Sequence, residues 1–435
     1  MIAIVGGGIT GLSLGWELLN RGSDFVVLEA GGAPGGVIRS GVIDGRVVDW
    51  GPQRTRLTPT VARAIDASGL RDRVLTAPSD LRLYVYRDSR LRPVPFSVAE
   101  LVASDVVSSR AKARLLFEPF TAAADPEERV SEFFSRKLGR EIYETLVAPL
   151  YGGLYASDPA DMVVGSSLMH MLRQLSIGRS LLLPLLRRGG RVDPPPACSF
   201  PDGMQELPLA IGHALGDRLR LNTPVTGLRP RGSGWRVECA DDAVDCEAVV
   251  VCTDASAATE LMAVAAPRAA STLGALRYNP LAIVHMDAET ELRGLGFQVA
   301  FTEPRLLLRG VTFNDSLFGR RNLYTAYLGG ARHPEVEEMS DDEVAGLAVR
   351  EFAGCTGYDA SALAVRRAHM PAWDASWSAI RDLELPRGLH AAGSWRSRPG
   401  LPGRLAEAAA MAEALVSGEA ASARAAQVAH AARAR

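Results

Sequence analysis

The feature that most constrains this chain is a glycine-rich turn between a short apolar strand and a helix near its N-terminus. The predicted strand Ile2 to Val5 runs directly into Gly6, Gly8 and Gly11, which have the spacing G-x-G-x-x-G. Gly6 permits a tight turn, Gly8 lets a pyrophosphate approach the backbone, and Gly11 lets the helix pack closely on the strand. This order of strand, glycines and helix predicts a dinucleotide-binding βαβ unit.

A second apolar strand and an acidic residue complete this unit. The strand Phe25 to Leu28 ends at Glu29, eighteen residues beyond Gly11, where a carboxylate can accept hydrogen bonds from a ribose diol. The first turn of the intervening helix presents N–H groups to the phosphates. The contact residues predicted in this unit are Gly6, Gly7, Gly8, Ile9, Thr10, Gly11, Glu29 and Ala30.

The segment after Glu29 favours FAD over NAD as the dinucleotide. Gly35-Gly36-Val37-Ile38-Arg39 resembles the second FAD fingerprint of the large flavoprotein oxidase and desaturase group. Asp44-Gly45 then predicts a type I′ hairpin leading to Gly51-Pro52-Gln53-Arg54, and the same group has a Gly-Pro segment beside the flavin ring. The further cofactor contacts that we expect here are Gly36, Val37, Arg39, Gly51, Pro52, Gln53 and Arg54.

The bulk composition is that of an ordinary globular enzyme. Hydrophobic residues make up 47% and charged residues 23% of the chain, with a net charge of −2, so the basic excess of nucleic-acid-binding proteins is missing. The five cysteines include no C-x-x-C pair and the seven histidines are scattered, so neither a metal site nor a disulfide framework is expected. We expect no signal peptide and no spanning helix, which predicts a cytoplasmic protein.

The predicted elements indicate an α/β protein in which a Rossmann-type FAD-binding domain is interrupted by a mixed-sheet substrate domain and a helical insert. The FAD-binding domain is expected to comprise residues 1–85, 198–260 and 386–420. The helical, substrate- or membrane-facing insert is predicted at 86–197, the substrate-binding sheet domain at 261–385, and a flexible tail at 421–435.

Several helices and strands are predicted inside these segments. Helical periodicity covers Val98 to Val107 and Arg129 to Leu138, whereas Leu281 to Met286 and Leu323 to Leu328 alternate like strands. A last helix is predicted at Leu405 to Leu415. Its approach through Gly393, Gly400 and Leu401 is expected to bring N–H groups to the flavin or the pyrophosphate.

Further motifs lie between the glycine turn and the middle of the chain. They are Ser131 to Arg140, Ala148 to Pro159, Ser199 to Pro208 and Pro224 to Leu228. Together with Gly51-Pro52 they resemble the oxygen-dependent protoporphyrinogen and coproporphyrinogen oxidases, a family within the flavin amine oxidase superfamily. Ala148 to Pro159 is the most discriminating motif, because general amine oxidases lack it.

The resemblance implies an FAD-dependent oxidase that converts protoporphyrinogen IX to protoporphyrin IX in haem biosynthesis, with O2 as acceptor and H2O2 as by-product. Oxidation of coproporphyrinogen III to coproporphyrin III is the alternative. The flavin N5 would take the hydride, so no catalytic side chain is predicted. The resemblance also implies that Val225 lies on the adenine side of FAD and that Pro399, Gly400 and Leu401 lie by the flavin, with Gly393 in the preceding segment.

Two residues are predicted to contact the substrate. Arg54 is the first choice for a propionate, because a guanidinium matches a carboxylate in a bidentate contact. Met169 is expected to line an apolar tetrapyrrole tunnel, although ordinary core packing explains such a methionine more often. Gln53, where the family often has arginine, Trp373 and Gly403 depart from the family pattern. They leave the identity of the substrate open.

The expected partners are a tetrapyrrole substrate and O2, with no nucleic acid. The run Leu181 to Leu186, flanked by Arg179 and Arg187, favours either a buried loop or peripheral contact with the inner face of the cell membrane. A transfer partner in haem synthesis and a homodimer are further expectations. Two other functions stay open: an amine-oxidase or desaturase-type flavoenzyme acting on another hydrophobic substrate, and a non-catalytic flavin-containing porphyrin carrier.

Overall fold

The structure, a computed structural model, describes residues 1–174, 177–187, 189–396 and 400–433. Its strands, in chain order, are β1 (Ile2–Val5), β2 (Phe25–Leu28), β3 (Ser40–Ile43), β4 (Arg46–Asp49), β5 (Thr55–Arg56), β6 (Leu75–Thr76), β7 (Leu83–Arg87), β8 (Arg90–Pro93), β9 (Ala197–Ser199), β10 (Leu219–Arg220), β11 (Val225–Arg231), β12 (Gly234–Cys239), β13 (Ala243–Cys246), β14 (Ala248–Val251), β15 (Tyr278–Asp287), β16 (Gly296–Val299), β17 (Leu308–Phe313), β18 (Leu323–Gly329), β19 (Ser361–Pro371) and β20 (Leu389–Ala391).

The α-helices are α1 (Ile9–Asn20), α2 (Pro59–Ala67), α3 (Val98–Ala103), α4 (Ser109–Arg114), α5 (Val130–Leu138), α6 (Arg140–Ile142), α7 (Ala148–Tyr155), α8 (Val164–Ser167), α9 (Met169–Gln174), α10 (Leu182–Arg187), α11 (Glu206–Leu215), α12 (Ala255–Met262), α13 (Pro267–Gly274), α14 (Asn314–Phe318), α15 (Asp341–Thr356) and α16 (Leu401–Arg433). A π-helical turn, Tyr143–Val147, joins α6 to α7, and 3-10 segments lie at Arg71–Arg73, Leu115–Phe120, Gly216–Arg218, Pro334–Glu337 and Ala375–Asp382.

A parallel sheet of order β10-β2-β1-β14-β20 forms the first half of the fold. Its strands come from three separate parts of the chain and all pair in parallel, which agrees with the predicted interrupted FAD-binding domain. Every residue of β1 and β2 is buried, because helices cover both faces as they must in such a sheet. Helices α1, α11 and α16 cover one face, and α12 and α13 cover the other.

A mixed sheet of order β19-β15-β18-β17-β16-β7-β8 forms the second half. One of its faces packs its apolar side chains under α15. The predicted domain boundary at residue 85 falls inside β7, which pairs in parallel with β16. The structure therefore corrects that boundary: the segment from Leu83 onward belongs to the mixed sheet, because its hydrogen bonds and its apolar packing lie there.

The insert consists of short helices, some shorter than the periodicity predicts. The predicted helix Val98 to Val107 ends at Ala103, because Ser104 adopts an extended conformation with φ −77° and ψ 157°. Val106 and Val107 are buried in the apolar cluster against which Leu101 of the same helix packs. Arg129 to Leu138 is confirmed as α5, with Arg129 as its N-cap.

A buried ion pair fastens the leucine-rich part of this insert. The Lys137 ammonium lies 3.6 Å from a Glu118 carboxylate oxygen, and both side chains are at most 1% exposed. Glu118 also accepts hydrogen bonds from the Ser180 hydroxyl and the Leu181 N–H. These contacts hold the start of α10 against the 3-10 segment Leu115–Phe120.

The strand predictions in the mixed sheet are confirmed with small shifts at their ends, as β15 and β18. The last helix begins four residues before the predicted Leu405 and continues beyond Leu415 to Arg433. In the part of the chain that the structure describes, no helix is both long and apolar enough to cross a membrane.

Candidate functional site: a dinucleotide cradle facing the mixed sheet

The three glycines of the N-terminal turn have distinct environments. Gly6 has a φ of +106°, which favours glycine because a side chain is strained there. A Cβ at Gly11 would lie 2.0 Å from the Gly6 carbonyl oxygen, so no side chain fits between helix and strand. Gly8 has an ordinary φ of −69°, and a Cβ there would meet no described atom within 4 Å. Gly8 therefore faces open space at the start of α1, as a residue approached by a phosphate must.

The acidic residue at the end of β2 is tied to this turn. One carboxylate oxygen of Glu29 accepts a hydrogen bond from the Gly7 N–H at 2.6 Å, and the other accepts one from the Gly31 N–H at 2.8 Å. An ionised carboxylate has about four acceptor sites, so acceptor capacity remains for a ribose diol. The contacts orient Glu29 toward the turn, as a dinucleotide requires.

The second glycine pair is brought against the first. The Gly35 N–H donates to the Gly7 carbonyl oxygen at 2.8 Å, and a Cβ at Gly36 would lie 3.2 Å from the Gly8 Cα. Arg39 turns back and donates to the Gly36 and Ala33 carbonyl oxygens. The residues predicted from two separate motifs thus form one backbone cradle, and its shape and acceptor set fit a dinucleotide.

Other predicted cofactor residues border this cradle. The segment before Val225 is tied to Glu29 by a hydrogen bond from the Thr223 N–H to the Glu29 carbonyl oxygen at 2.8 Å. Gly393 follows β20 and is packed so closely on Trp395 that a Cβ would lie 2.3 Å from the indole nitrogen. Leu401 starts α16 and Gly400 directly precedes it, whereas Pro399 lies outside the described residues. Their contacts with a cofactor stay predictions.

The Gly51 to Arg54 segment leaves the cradle toward the mixed sheet. A Cβ at Gly51 would lie 2.1 Å from the Val37 carbonyl oxygen, while the Val37 side chain is 72% exposed. Pro52 is exposed and Gln53 is buried. An exposed valine beside two backbone-lined glycine segments is suited to contact with a flat apolar ligand.

The Gln53 side chain points into the protein. Its amide nitrogen donates to the Asp49 and Gly51 carbonyl oxygens, and its amide oxygen accepts from Asn314 and Thr325 at 3.3 Å. These bonds commit the Gln53 side chain to protein groups and position the Gly51 to Arg54 segment. The contact of Gln53 with the cofactor stays a prediction.

A buried ion pair joins the same segment to the mixed sheet. The Arg320 guanidinium lies 2.6 Å from the Asp49 carboxylate, and the two side chains are 5% and 0% exposed. The other Asp49 oxygen accepts from the Ser40 hydroxyl and the Met204 N–H, so the pair is well satisfied, as a buried ion pair must be.

A buried histidine lies beside this pair. The His285 ring stacks edge-on against Trp50 with ring centroids 5.2 Å apart, and its Nδ1 lies 3.0 Å from the Thr325 hydroxyl. Burial lowers the pKa of His285 to about 4. The imidazole is therefore neutral at physiological pH.

Arg54 lies at the junction of the two sheets. Its guanidinium donates to the Leu295 carbonyl oxygen at 3.3 Å, and it pairs with no carboxylate among the described residues. Burial lowers the pKa of Arg54 to about 10, partly offset by the nearby Tyr327 hydroxyl. The group keeps its charge at neutral pH, so it is a partly desolvated cation suited to an anionic ligand.

The second predicted substrate residue lies in the insert. Met169 is partly buried against an apolar cluster that includes Phe133, Leu168 and Leu172. This environment is the core packing that the sequence alone left open. Its contact with a substrate stays a prediction.

Comparison with known proteins decides the family. Residues 9–425 match the family described as flavin containing amine oxidoreductase. The chain belongs to this family. It is an oxidoreductase, and its cofactor is FAD, as the two glycine motifs predicted.

Relatives of this flavin-containing amine oxidoreductase include two enzymes named protoporphyrinogen oxidase. Protoporphyrinogen oxidase 2, chloroplastic/mitochondrial, of Arabidopsis thaliana is 26% identical, and the alignment covers 88% of this chain and 86% of the relative. The Homo sapiens protoporphyrinogen oxidase is 25% identical, with coverage of 76% and 77%. The Staphylococcus aureus coproporphyrinogen III oxidase is 31% identical over 36% of each chain.

Solved structures confirm the fold. A protein from Exiguobacterium sp. 255-15 superposes with a TM-score of 0.77 at 19% identity, covering 95% of this chain and 98% of the other. Cyclohexylamine oxidase from Brevibacterium oxydans IH-35A superposes with a TM-score of 0.66 at 15% identity, covering 95% and 99%.

The mixed sheet supplies polar residues to this site that the sequence analysis missed. The alternation of side chains along β15 and β18 could be predicted from the sequence. The sequence did not show which face of the sheet turns toward the cradle. The missed residues are His285, Asn314, Arg320, Thr325 and Tyr327.

Proposed function

We propose that this flavoenzyme oxidises a porphyrinogen to the corresponding porphyrin, with protoporphyrinogen IX as the substrate and coproporphyrinogen III as the alternative. The observation that carries the proposal is the likeness to protoporphyrinogen oxidase 2 across 88% of this chain. Arg54 supports it, because a partly desolvated guanidinium beside the cradle suits a propionate.

When bound, FAD supplies the acceptor for the hydride that a porphyrinogen loses. The residues of the chain then have to bind and orient the ring. Arg54 holds a propionate, and the apolar Leu281 and Ile283, which lie in one cluster with Tyr327, contact the ring face. Gln53 and the ion pair of Asp49 with Arg320 keep the Gly51 to Arg54 segment in place between cofactor and sheet.

Oxygen is the proposed acceptor for the electrons, and hydrogen peroxide the proposed by-product. A porphyrinogen gains aromaticity on losing its hydrogens, so its oxidation needs no strong base in the protein.

The proposal is tested by incubating the FAD-loaded protein with protoporphyrinogen IX and, separately, with coproporphyrinogen III. Under air we expect porphyrin fluorescence to rise faster than with flavin-free Gly8→Val protein, with uptake of O2 and release of H2O2. Under argon we expect bleaching of the flavin absorbance on mixing. Failure to bleach the flavin with either porphyrinogen contradicts the proposal.

The same measurements separate the other functions. Flavin bleaching by primary amines, without a response to porphyrinogens, favours an amine oxidase. Tight binding of porphyrin without any flavin reduction favours the carrier function.

We also propose that the insert contacts a membrane surface peripherally. Its 3-10 segment exposes Leu116, Phe117 and Phe120, at 63% to 77% exposure, and α10 beside it exposes Leu183 and Leu186. Exposed apolar side chains flanked by arginines suit the interface of an anionic bilayer. Co-sedimentation with anionic vesicles tests this, and equal sedimentation of a Phe117→Ser, Phe120→Ser variant contradicts it.

A further inference from the structure

The alternation of side chains along β15 shows which face of the mixed sheet turns toward the cradle. In a strand, successive side chains point to opposite faces. Ala282, Val284 and Met286 pack in the cluster under α15, so Ile283 and His285 lie on the other face. His285 contacts Trp50 directly after β4, which shows that this other face is turned toward the segment leaving the cradle.

The edge strand β19 places an arginine on that face. Arg366 is the cross-strand partner of Ile283, and its neighbour Arg367 is the partner of Ala282. Arg367 points to the α15 side, where it pairs with Asp341 at 2.8 Å. Arg366 therefore points toward the cradle side.

Arg366 is half-buried, yet it forms no ion pair and no hydrogen bond with any residue that the structure describes. Two further residues of β19 on the same face, Ala368 and Met370, are apolar and pack with Leu281 and Ile283. A half-buried guanidinium that has no carboxylate beside it is available to an anionic ligand that lies on the apolar cluster.

Arg54 and Arg366 lie on opposite sides of this cluster. Ile283 pairs with Tyr327 on β18 and with Arg366 on β19, and Arg54 is close enough to Tyr327 for the charge of each to shift the pKa of the other. Two strand spacings, about 10 Å, separate β18 from β19, and Arg54 lies beyond β18, where it donates to the Leu295 carbonyl oxygen directly before β16. An apolar cluster with a cation on either side matches a flat hydrophobic ring that carries two separate carboxylates.

We propose that Arg366 is a second carboxylate-binding residue, so that the substrate lies across Ile283 and Tyr327 with one carboxylate at Arg54 and another at Arg366. This inference rests on the proposed porphyrinogen function and specifies how that substrate is held. Because each contact is charge-assisted, each is expected to strengthen binding independently.

The experiment measures binding of protoporphyrin IX, a dicarboxylate, and of its dimethyl ester to the FAD-loaded protein by fluorescence titration. Arg366→Ala is expected to weaken binding of the diacid by about tenfold or more and to leave binding of the ester unchanged. Arg366→Lys is expected to restore part of the loss. The matched control is Arg350→Ala, which removes an exposed arginine from α15 on the opposite side of the same sheet.

The double variant Arg54→Ala, Arg366→Ala tests whether two carboxylates are held separately. If they are, the factor by which the double variant weakens diacid binding is expected to equal the product of the factors for the two single variants. A double variant no weaker than either single variant overturns the two-carboxylate arrangement, and an Arg366→Ala protein that behaves like Arg350→Ala overturns the role of Arg366. In both cases porphyrinogen oxidation by the wild type continues and the proposed function stands. A wild-type protein that neither oxidises porphyrinogens nor binds the diacid overturns both proposals.

Discussion

In the parallel sheet, the groups that line the dinucleotide cradle are mostly backbone groups. Gly8 leaves open space, the N-terminus of α1 begins without a side-chain cap, and Glu29 is held by two N–H groups. In the mixed sheet, the facing groups are side chains on alternate positions of neighbouring strands, such as Thr325 and Tyr327. A backbone cradle depends on a local glycine pattern, whereas a side-chain surface depends on which face of a sheet is covered. The predictions below probe this difference.

The largest effect is expected from Gly8→Val in the cradle. A Cβ there meets no described protein atom within 4 Å and the backbone is unstrained, so the flavin-free protein should keep its thermal stability. The side chain would occupy the place of the pyrophosphate, so the purified protein should contain almost no FAD by absorbance. Gly11→Val is the contrast: its Cβ would lie 2.0 Å from the Gly6 carbonyl oxygen, so the flavin-free protein itself should be destabilised. A Gly8→Val protein with the wild-type flavin spectrum would show that this turn does not bind the cofactor.

The next effect concerns the ion pair that joins the two regions. Arg320→Ala leaves the fully buried Asp49 carboxylate without its cation, which is expected to lower the free energy of unfolding by about 3–5 kcal/mol. Urea denaturation of the flavin-free protein measures the loss. The control is Arg321→Ala, an exposed neighbour. Equal midpoints for the two variants would mean that the pair does not hold the regions together.

The buried His285 of the mixed sheet is expected to make the stability of the protein depend on pH. Burial lowers its pKa from 6.5 to about 4, so between these values the unfolded chain binds more protons than the folded protein. Stability contributed by the neutral imidazole is therefore complete above pH 6.5 and is lost as the pH falls toward about 4. Its size is about 3 kcal/mol.

The test compares the free energy of unfolding near neutral pH and near pH 4 in wild type, His285→Gln and His213→Gln. Between neutral pH and pH 4, the free energy of unfolding of His285→Gln should fall by about 3 kcal/mol less than that of the wild type. His213→Gln, which replaces an exposed histidine of α11, should show the same fall as the wild type. An identical fall in all three proteins would assign the acid sensitivity to other groups.

The smallest effect is expected from Arg54→Ala at the junction of the two regions. Loss of one charge-assisted contact, worth about 1.5–3 kcal/mol, should raise KM for the porphyrinogen acid by about tenfold or more. FAD content should stay near that of the wild type, and the change should be smaller with a substrate whose propionates are esterified. Steady-state kinetics with both substrates decides this, because equal losses would place the role of Arg54 in the fold or the flavin site.

Much of the parallel sheet was predictable from the sequence, because its signals are local. The apolar strands, the three glycines and Glu29 stand within thirty residues of one another, and the structure places them as expected. The hairpin at Asp44-Gly45 was predictable for the same reason, since both residues adopt the positive φ that a type I′ turn requires.

Other features were not predictable, because long-range packing decides them. The helix from Val98 ends early because Ser104 adopts an extended conformation, and Val106 and Val107 are then buried beyond the end of the helix. The Gln53 side chain is committed to partners more than 250 residues away in sequence, Asn314 and Thr325. The mixed sheet recruits β7 from the N-terminal part of the chain, which no periodicity in that segment indicates.

The sequence by itself therefore determined the cofactor class, the family and the position of the cradle, because glycine spacing and chain geometry act over a few residues. Only the tertiary structure decided which face of the mixed sheet meets the cradle and which arginines lie there without a carboxylate. The physical reason is that a strand presents side chains to both of its faces alike, and the helix α15 that buries one of them leaves the other to face the cofactor domain.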